Sequence, residues 1–431
     1  MQFDLSSEPR RTQKRPQVAI RVDYCPAISD VPIRRCLAIA EQLREQRARV
    51  LFVTADDGVT PYIRGTGFGC HLLDSDWRDP EPEVDVLIDY LEEEEIDILL
   101  LDQPRTTPRY LMHLREAGIR LAMLDDVPRF PYDVALLINP LPEDRRADYM
   151  AFYSEASEPA ETTAEEPEGD EEEESIPDVP DPAQIRFLLG PAYQPLSAEF
   201  SRSRVLEWRR ESAPLPNIEI PVQPELASES KLKDIQTNAP LRQAGLEPIR
   251  ELFLTLAGAD PGGMVERIVT GILRDPELKD VHIHLYCGLF FRVTEKLQIF
   301  LEDGRVFLHH EGEESPARLM CQCEAGVAPG GHVLYEFCAC RLPGVSFYMS
   351  DAQRGDAAFF AAQGLIPCAG DYRDDWKDCI AEIIRELHTI NRLGADGRVA
   401  LGERAAELID GQGAGRIAEA LLALQGENIN D

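Results

Sequence analysis

The chain has 431 residues and a formal net charge of −34, from 44 Lys and Arg against 78 Asp and Glu. This length predicts two or three domains, and a hydrophobic fraction of 44% is ordinary for a globular protein. The negative charge argues against nucleic acid or an anionic membrane as a partner, because like charges repel. No stretch approaches the roughly 20 apolar residues of a membrane span, and residues 1–17 lack the apolar core of a secretory signal. The ten cysteines are therefore expected to be reduced thiols in the cytoplasm.

Much of the negative charge is concentrated in one stretch. Residues 154–182 contain 13 Asp or Glu and no Lys or Arg, and the rest of the chain still carries −21. Such a stretch cannot bury enough apolar surface to offset its chain entropy, so we expect a disordered acidic insert. A solvated surface insertion is the favoured interpretation. An interaction tail for a protein partner, or an electrostatic screen, is the alternative.

The first half of the chain alternates short apolar strands with amphipathic helices. Strands are predicted at 18–22, 50–53, 96–101, 120–124, 134–138 and 185–189, and helices at 33–43, 84–91 and 109–116. Ser29 or Asp30 could cap the first helix, with Pro32 in its first turn. This alternation predicts a parallel sheet that is covered on both faces.

The second half repeats this plan. Strands are predicted at 252–256, 281–287, 305–309, 325–328 and 345–349, and helices at 264–273, 316–323, 332–340, 353–362, 374–393, 399–409 and 414–424. The predicted organisation is a mobile arm (1–15), an N-terminal Rossmann-like domain with the insert (16–210), a linker (211–248) and a C-terminal nucleotide-binding Rossmann-like domain (249–431). The fold class is α/β, with two doubly wound domains and a ligand cleft at the carboxyl ends of their strands.

A glycine pair in the second half is the strongest chemical signal. Gly330 and Gly331 follow a predicted strand and open a helix, where backbone N–H groups can approach a phosphate. Glu336 lies one helical turn beyond His332 and could reach a ribose hydroxyl pair. His332 either donates a hydrogen bond to the phosphate or is a surface histidine, and both interpretations stay open. Gly258 opens another turn after a strand, which by itself is ordinary.

Two further sets of residues raise the question of a metal. One residue separates the cysteines in each of two pairs, Cys321 with Cys323 and Cys338 with Cys340. Zinc sites more often use Cys-x2-Cys spacing, so core thiols are favoured. His282 and His284 share one face of a predicted strand. No third ligand is apparent, so a strand face without a metal is favoured and no metal is predicted.

Five blocks of sequence resemble one protein family. They are residues 187–193 with Glu199-Phe200 after them, 256–261, 328–336, 351–353 and 410–416. In order and spacing they resemble the UDP-sugar hydrolases of pseudaminic acid biosynthesis and their spore-coat polysaccharide relatives. The resemblance implies the GT-B fold of nucleotide-sugar glycosyltransferases, with UDP or a UDP-sugar as the ligand and no cofactor. The binding residues that it implies are Gly258, Gly330, Gly331, His332, Tyr335, Glu336, Asp351 and Gln353.

The first strand–helix loop departs from the family. The family motif is Gly-x-Gly-His-x-x-Arg-Cys, and its His is the expected catalytic residue. Arg35-Cys36 aligns with the end of this motif, which puts Pro32 at the His position and Ser29 and Val31 at the glycine positions. A proline side chain has no proton to transfer. The hydrolysis mechanism of the family therefore cannot be carried over unchanged.

A second departure concerns a tyrosine. The family has Asp-x-Tyr after a strand of this domain, and here the chain reads 102–104, Asp-Gln-Pro. Any general base would have to be a substitute such as Asp23, Asp30 or Asp102. Asp125-Asp126 matches a family pair that either orients cleft groups or merely ends a strand.

Three functions stay open at this point. The first is a GT-B protein that binds and hydrolyses a UDP-sugar. The second is a non-catalytic paralogue that binds a nucleotide-sugar or assembles with enzymes of a surface-polysaccharide pathway. The third is a glycosyltransferase with a different acceptor.

Overall fold

The computed structural model describes residues 15–24, 31–142, 145–157, 180–212, 247–256, 260, 263–288, 291, 293–310 and 312–426. Most of the predicted arm, acidic insert and linker lies outside these residues, as do Ser29, Asp30 and Gly258. The chain divides into two compact units. Unit 1 is 1–197 with 413–431, and unit 2 is 198–412.

Unit 1 is built on a seven-stranded parallel sheet. Its strands are β1 (Gln17–Val22), β2 (Arg49–Thr54), β3 (Gly69–Leu72), β4 (Ile98–Asp102), β5 (Arg120–Leu124), β6 (Leu136–Asn139) and β7 (Arg186–Leu189). The order across the sheet is β3-β2-β1-β4-β5-β6-β7. The sequence contributes apolar runs for the central strands, which are buried on both faces as parallel strands require.

Helices cover both faces of this sheet. They are α1 (Val31–Glu45), α2 (Thr60–Ile63), α3 (Val84–Glu93), α4 (Pro108–Glu116) and α5 (Arg146–Ser157), with α14 (Gly413–Ala423) from the end of the chain. Alternate residues of β1 point to opposite faces, so Val18 and Ile20 join a core with α1 and α14. Ala19 joins a second core with α3 and α4. The predicted parallel sheet with helices on both faces is confirmed.

Unit 2 is built on a six-stranded parallel sheet. Its strands are β8 (Glu251–Thr255), β9 (His282–Cys287), β10 (Val306–His310), β11 (Ala325–Pro329), β12 (Gly344–Tyr348) and β13 (Cys368–Asp371). The order is β10-β9-β8-β11-β12-β13, so the chain reverses direction across the sheet between β8 and β11. Ligands of doubly wound sheets bind at such reversals, beyond the carboxyl ends of the strands.

The helices of unit 2 surround this sheet. They are α6 (Arg202–Ser212), α7 (Met264–Arg274), α8 (Glu295–Glu302), α9 (Pro316–Gln322), α10 (His332–Ala339), α11 (Asp351–Ala362), α12 (Trp376–Arg392) and α13 (Gly394–Leu408). A single large core joins α7, α8 and α12 to the strands, with Leu254 and Ile283 fully buried in it.

The units divide the chain at different places from the predicted boundaries. The prediction ended the first domain at 210 and assigned all of 249–431 to the second. In the structure unit 2 begins at 198, and the last helix, α14, belongs to unit 1 because its apolar face packs on α1. Ile417 and Leu421 of α14 are fully buried in the core that contains Ile39 of α1.

Some described elements differ from the predictions. α5 extends to Ser157, so a helix covers the first four residues of the predicted insert. The short strands β3 and β13 and the helices α2, α6 and α8 were missed, and no bounds were predicted for α5. The residues of β3 are largely exposed and β13 reads Cys-Ala-Gly-Asp, so neither has the apolar run by which buried strands are recognised.

Candidate functional site

The glycine pair forms a tight turn between β11 and α10. The backbone N–H of Gly330 donates to the carbonyl of Phe347 on the neighbouring strand at 2.7 Å. A Cβ on Gly330 would lie 2.2 Å from the carbonyl oxygen of Gln353, so any side chain at 330 would collide with the backbone of α11. Gly331 has a φ of 120°, which only glycine adopts readily. Both glycines are therefore demanded by the backbone, whatever ligand the turn binds.

The two glycine-bearing turns of unit 2 differ at their helix starts. At the start of α7, the carboxylate of Asp260 accepts hydrogen bonds from the backbone N–H groups of Met264 (2.7 Å) and Val265 (3.2 Å). A negative group thus already occupies the position that an anion would take. α10 begins after Gly331, which has no side chain and so cannot cap the helix itself. Between these two helix starts, the geometry favours α10 for an external anion.

His332 and Glu336 lie one turn apart on α10, as predicted. The distance between His332 Nε2 and Glu336 Oε1 is 3.8 Å, and both side chains are partly exposed. The pair therefore places one imidazole and one carboxylate beside the start of the helix. This arrangement suits a phosphate with a hydroxyl-bearing group beyond it.

Two other predicted binding residues, Tyr335 and Gln353, make contacts within the protein. The hydroxyl of Tyr335 donates to Asp356 at 2.7 Å, and Tyr335 is only 2% exposed. The side-chain oxygen of Gln353 accepts from the backbone N–H of Met349 at 2.9 Å and fixes the turn before α11. These contacts give Tyr335 and Gln353 a positioning role.

Asp351 begins α11 and is exposed. Its carboxylate accepts from Arg373 at 2.8 Å, and the same guanidinium binds Asp371 at 2.7 Å. The two carboxylates raise the pKa of Arg373 through these hydrogen bonds. Asp351 therefore anchors Arg373 near the carboxyl end of β13.

In unit 1, Asp102 is held in a buried ion pair. Both of its oxygens accept from Arg35 at 2.6 Å, and each side chain is 5% exposed. Arg35 also binds Asp126 at 2.7 Å. Burial opposes the charge of Arg35, but Asp102 and Asp126 raise its pKa well above the ordinary value. This geometry argues against Asp102 as a general base, because protonation would leave a buried guanidinium without its main partner.

Asp23 is similarly occupied. Its carboxylate accepts hydrogen bonds from the backbone N–H of Ala55 (2.8 Å), from Gln103 Nε2 (3.2 Å) and from Thr54 Oγ1 (3.2 Å). It also forms a buried ion pair with Arg21 at 2.6 Å. A carboxylate with these partners would have to break a contact before taking a proton. Asp23 thus stabilises the carboxyl end of β1, and Asp30 lies outside the described residues.

Asp125 has a different environment. It follows β5 and is buried, and the hydroxyl of Tyr149 donates to its Oδ2 at 2.6 Å. Asn139 in turn donates to that hydroxyl at 3.0 Å. Burial raises the pKa of Asp125, and hydrogen bonds from Tyr149 and Tyr132 only partly oppose this. Asp125 therefore connects β5 to α5 and β6, and its role is not limited to ending the strand.

A cavity of about 500 Å³ lies at the carboxyl end of β10, and sequence reasoning missed it. Its lining residues are Trp208, Leu308, His309, His310, Glu313, Glu314, Ser315 and Arg318. The lining residues come from the consecutive segment of β10, the following loop and α9, and from α6, which lies far before that segment in the sequence. The sequence feature that could have pointed to this cavity is the clustering of histidines on β9 and β10.

The histidines of β9 are not free on their strand face. Glu251 accepts from both, at 3.0 Å from His282 Nδ1 and 2.8 Å from His284 Nε2. The sequence does not reveal Glu251 as a partner of these two histidines, because the contacts depend on the order of the strands. Among the described residues, no group of three or more His, Cys, Asp or Glu side chains is arranged to hold a metal ion.

The paired cysteines of unit 2 are buried thiols, in agreement with the favoured interpretation. Cys340 lies just after the end of α10 and not within it. A hydrogen bond with Cys340 lowers the pKa of the Cys321 thiol, while burial raises that of Cys338.

No protein-family model matches the chain. Among curated proteins, the spore coat polysaccharide biosynthesis protein SpsG of Bacillus subtilis is 23% identical over 185 residues. The match covers 42% of this chain and 52% of that protein, so the chain spans about half the length of the curated relative that it matches.

Solved structures resemble this chain over most of its length. MurG from Acinetobacter baumannii is 10% identical with a TM-score of 0.57, over 95% of this chain and 99% of that one. Anabaena HepE, solved in complex with UDP, is 13% identical with a TM-score of 0.51, over 94% and 100%. The fold class is GT-B, as the sequence resemblance implied. None of the described helices is long and apolar enough to cross a membrane.

Proposed function

We propose that this protein binds a nucleotide-sugar, with UDP as the nucleotide, at the turn between β11 and α10 of unit 2. The observation that carries the proposal is the glycine turn that opens α10, where the cap residue Gly331 has no side chain, whereas the carboxylate of Asp260 occupies the start of α7. In an acidic chain, a diphosphate must be bound largely by backbone N–H groups and a helix dipole. The turn supplies both.

Individual residues have separate roles in this proposal. Gly330 and Gly331 let the backbone approach the diphosphate, and His332 donates to one of its oxygens. Glu336 accepts from the ribose hydroxyls. Tyr335 and Gln353 position α10 and the turn before α11 through their internal contacts. Support for a sugar ligand comes from the partial match to SpsG and from HepE, whose structure contains UDP.

The reaction we propose first is hydrolysis of a UDP-sugar in the biosynthesis of pseudaminic acid or a related sugar of a surface polysaccharide. The resemblance of five sequence blocks to the UDP-sugar hydrolases supports this choice. Pro32 at the family's catalytic His position opposes it, as do the internal ion pairs of Asp23 and Asp102. These same contacts favour the second candidate, a non-catalytic paralogue that binds the nucleotide-sugar without turnover.

Calorimetry with UDP, thymidine diphosphate and UDP-sugars, followed by a UDP-release assay, tests both candidates. We expect UDP to bind and Glu336→Gln to weaken binding by about tenfold, the value of one lost ribose hydrogen bond. Glu382→Gln, which changes an exposed ion pair on α12, is the matched control and should bind normally. Binding without UDP release would select the paralogue. Absence of binding to all three ligands would refute the proposed function.

A further inference from the structure

Four side chains form a continuous line across one face of the second sheet. His284 Nε2 lies 2.8 Å from Glu251 Oε2, and His284 Nδ1 lies 3.0 Å from His309 Nε2. His309 Nδ1 lies 2.8 Å from Oε2 of Glu314. The line thus joins β8, β9 and β10 to the loop before α9.

The outer contacts determine where two protons sit. An ionised carboxylate can only accept a hydrogen bond, so His284 carries a proton on Nε2 and His309 carries one on Nδ1. If both rings are neutral, His284 Nδ1 and His309 Nε2 hold lone pairs that face each other. If both rings are positively charged, two N–H groups face each other. Only one additional proton turns the 3.0 Å contact into an N–H···N hydrogen bond.

We propose that His284 and His309 share a single proton, and that this proton fastens the loop before α9 to the sheet. On this inference the contact is stable over an intermediate pH range and opens both above it and below it. It does not depend on the proposed nucleotide site.

The charged surroundings favour the state with one shared proton. Glu251 and Glu314 at the two ends favour a positive charge between them. A second proton is disfavoured, because burial lowers the pKa of His309 and the neighbouring His284 and His310 lower it further. Other charged or titratable groups face the line. His282 also contacts Glu251. Glu313 and Arg318 line the cavity, and Glu211 of α6 lies beside Arg318.

The shared proton has a structural consequence at the cavity. His309 and Glu314 both line it, together with Trp208 of α6. The next residue, Ser315, caps α9 by accepting from the backbone N–H of Arg318 at 3.2 Å, and its hydroxyl also contacts Glu199. Opening of the histidine contact would therefore release one wall of the cavity and loosen the start of α9.

Imidazole NMR of the full chain tests the proton itself. The chain has eight histidines, so their ring signals can be assigned by substitution. Between about pH 5 and about pH 9 we expect His284 and His309 to titrate together in two steps separated by more than about one pH unit. We also expect His309 to keep its Nδ1 proton at high pH. Independent single-step titrations, or an Nε2–H tautomer for His309, would overturn the proposal.

Two variants and a control complete this test. His284→Gln should convert the His309 titration to a single step, and Glu314→Ala should let His309 adopt the Nε2–H tautomer. Glu314 lies in an exposed loop, so the second variant remains informative if the first does not fold. His282→Gln is the matched control, because His282 also contacts Glu251 but lies outside the line, and it should leave both steps in place.

Amide hydrogen exchange tests the loop. After correction for the intrinsic pH dependence, exchange over residues 312–322 should be slowest in the intermediate range and rise several-fold on both sides. The minimum should vanish in His284→Gln and persist in His282→Gln. A corrected rate independent of pH would refute the fastening role. Loss of the two-step titration on addition of EDTA would show that a metal, and not a proton, joins the rings.

Discussion

Replacing Asp102 by Asn distinguishes a structural ion pair from a general base. The substitution removes one negative charge at nearly constant volume. Among the described residues it leaves the buried guanidinium of Arg35 with Asp126 as its remaining ion-pair partner, and the side chain of Asp126 is 46% exposed. Breaking a buried pair by removing one partner typically costs about 3–5 kcal/mol. We therefore expect the transition of unit 1 to fall by roughly 6–20 °C.

Trp77 provides the assay, because it lies in unit 1 whereas Trp208 and Trp376 lie in unit 2. Thermal unfolding followed by Trp77 fluorescence, with the other two tryptophans changed to Phe, reports the transition of unit 1. Asp126→Asn is the matched control and should cost less than about 1 kcal/mol, because water screens a half-exposed pair. Equal losses in both variants, or an unchanged transition with UDP release abolished, would refute the structural role of Asp102.

Three further predictions test other parts of the fold. Gly330→Ala should destabilise unit 2 by about 1–3 kcal/mol in denaturant unfolding, because its Cβ meets the carbonyl of Gln353 at 2.2 Å; an unchanged midpoint would contradict the close approach. Asp260→Ala should cost about 1 kcal/mol by leaving the backbone N–H of Met264 without its acceptor, and an unchanged free energy of unfolding would argue against the cap. Burial raises the pKa of Asp125 in the folded state, so its favourable contribution is complete below the unfolded pKa and is lost as the pH rises through the folded pKa. Asp125→Asn should remove this decline from a series of melting temperatures between about pH 3 and about pH 7, and a parallel decline in both proteins would show that another group causes it.

The internal ion pairs of unit 1 bear on the choice between the two proposed functions. In unit 1 the described carboxylates at the carboxyl ends of β1 and β4 stabilise the fold, with Arg21 and Arg35 as their partners. In unit 2, α10 begins after Gly331, a cap residue without a side chain. If the proposed nucleotide site is present, the internal use of these unit 1 carboxylates favours the second candidate function, a paralogue that binds the nucleotide-sugar without turnover.

Local patterns were sufficient for most of the described elements. Every predicted strand of unit 2 corresponds to an observed one with ends that agree within two residues, because each is an apolar run bounded by polar or turn residues. Strand β13 was missed since its stability comes from pairing with β12 and not from its own residues. The sequence also predicted the glycine turn and the one-turn spacing of His332 and Glu336, which depend only on neighbours along the chain.

Long-range contacts decided the rest. The sequence by itself determined two parallel sheets covered by helices, and its motifs indicated the GT-B class. It could not show that Arg35 reaches Asp102 or that α14 packs on α1, because each of these contacts joins residues that are far apart in the sequence. The line from Glu251 to Glu314 crosses three strands and a loop, so only the strand order β10-β9-β8 brings its members together.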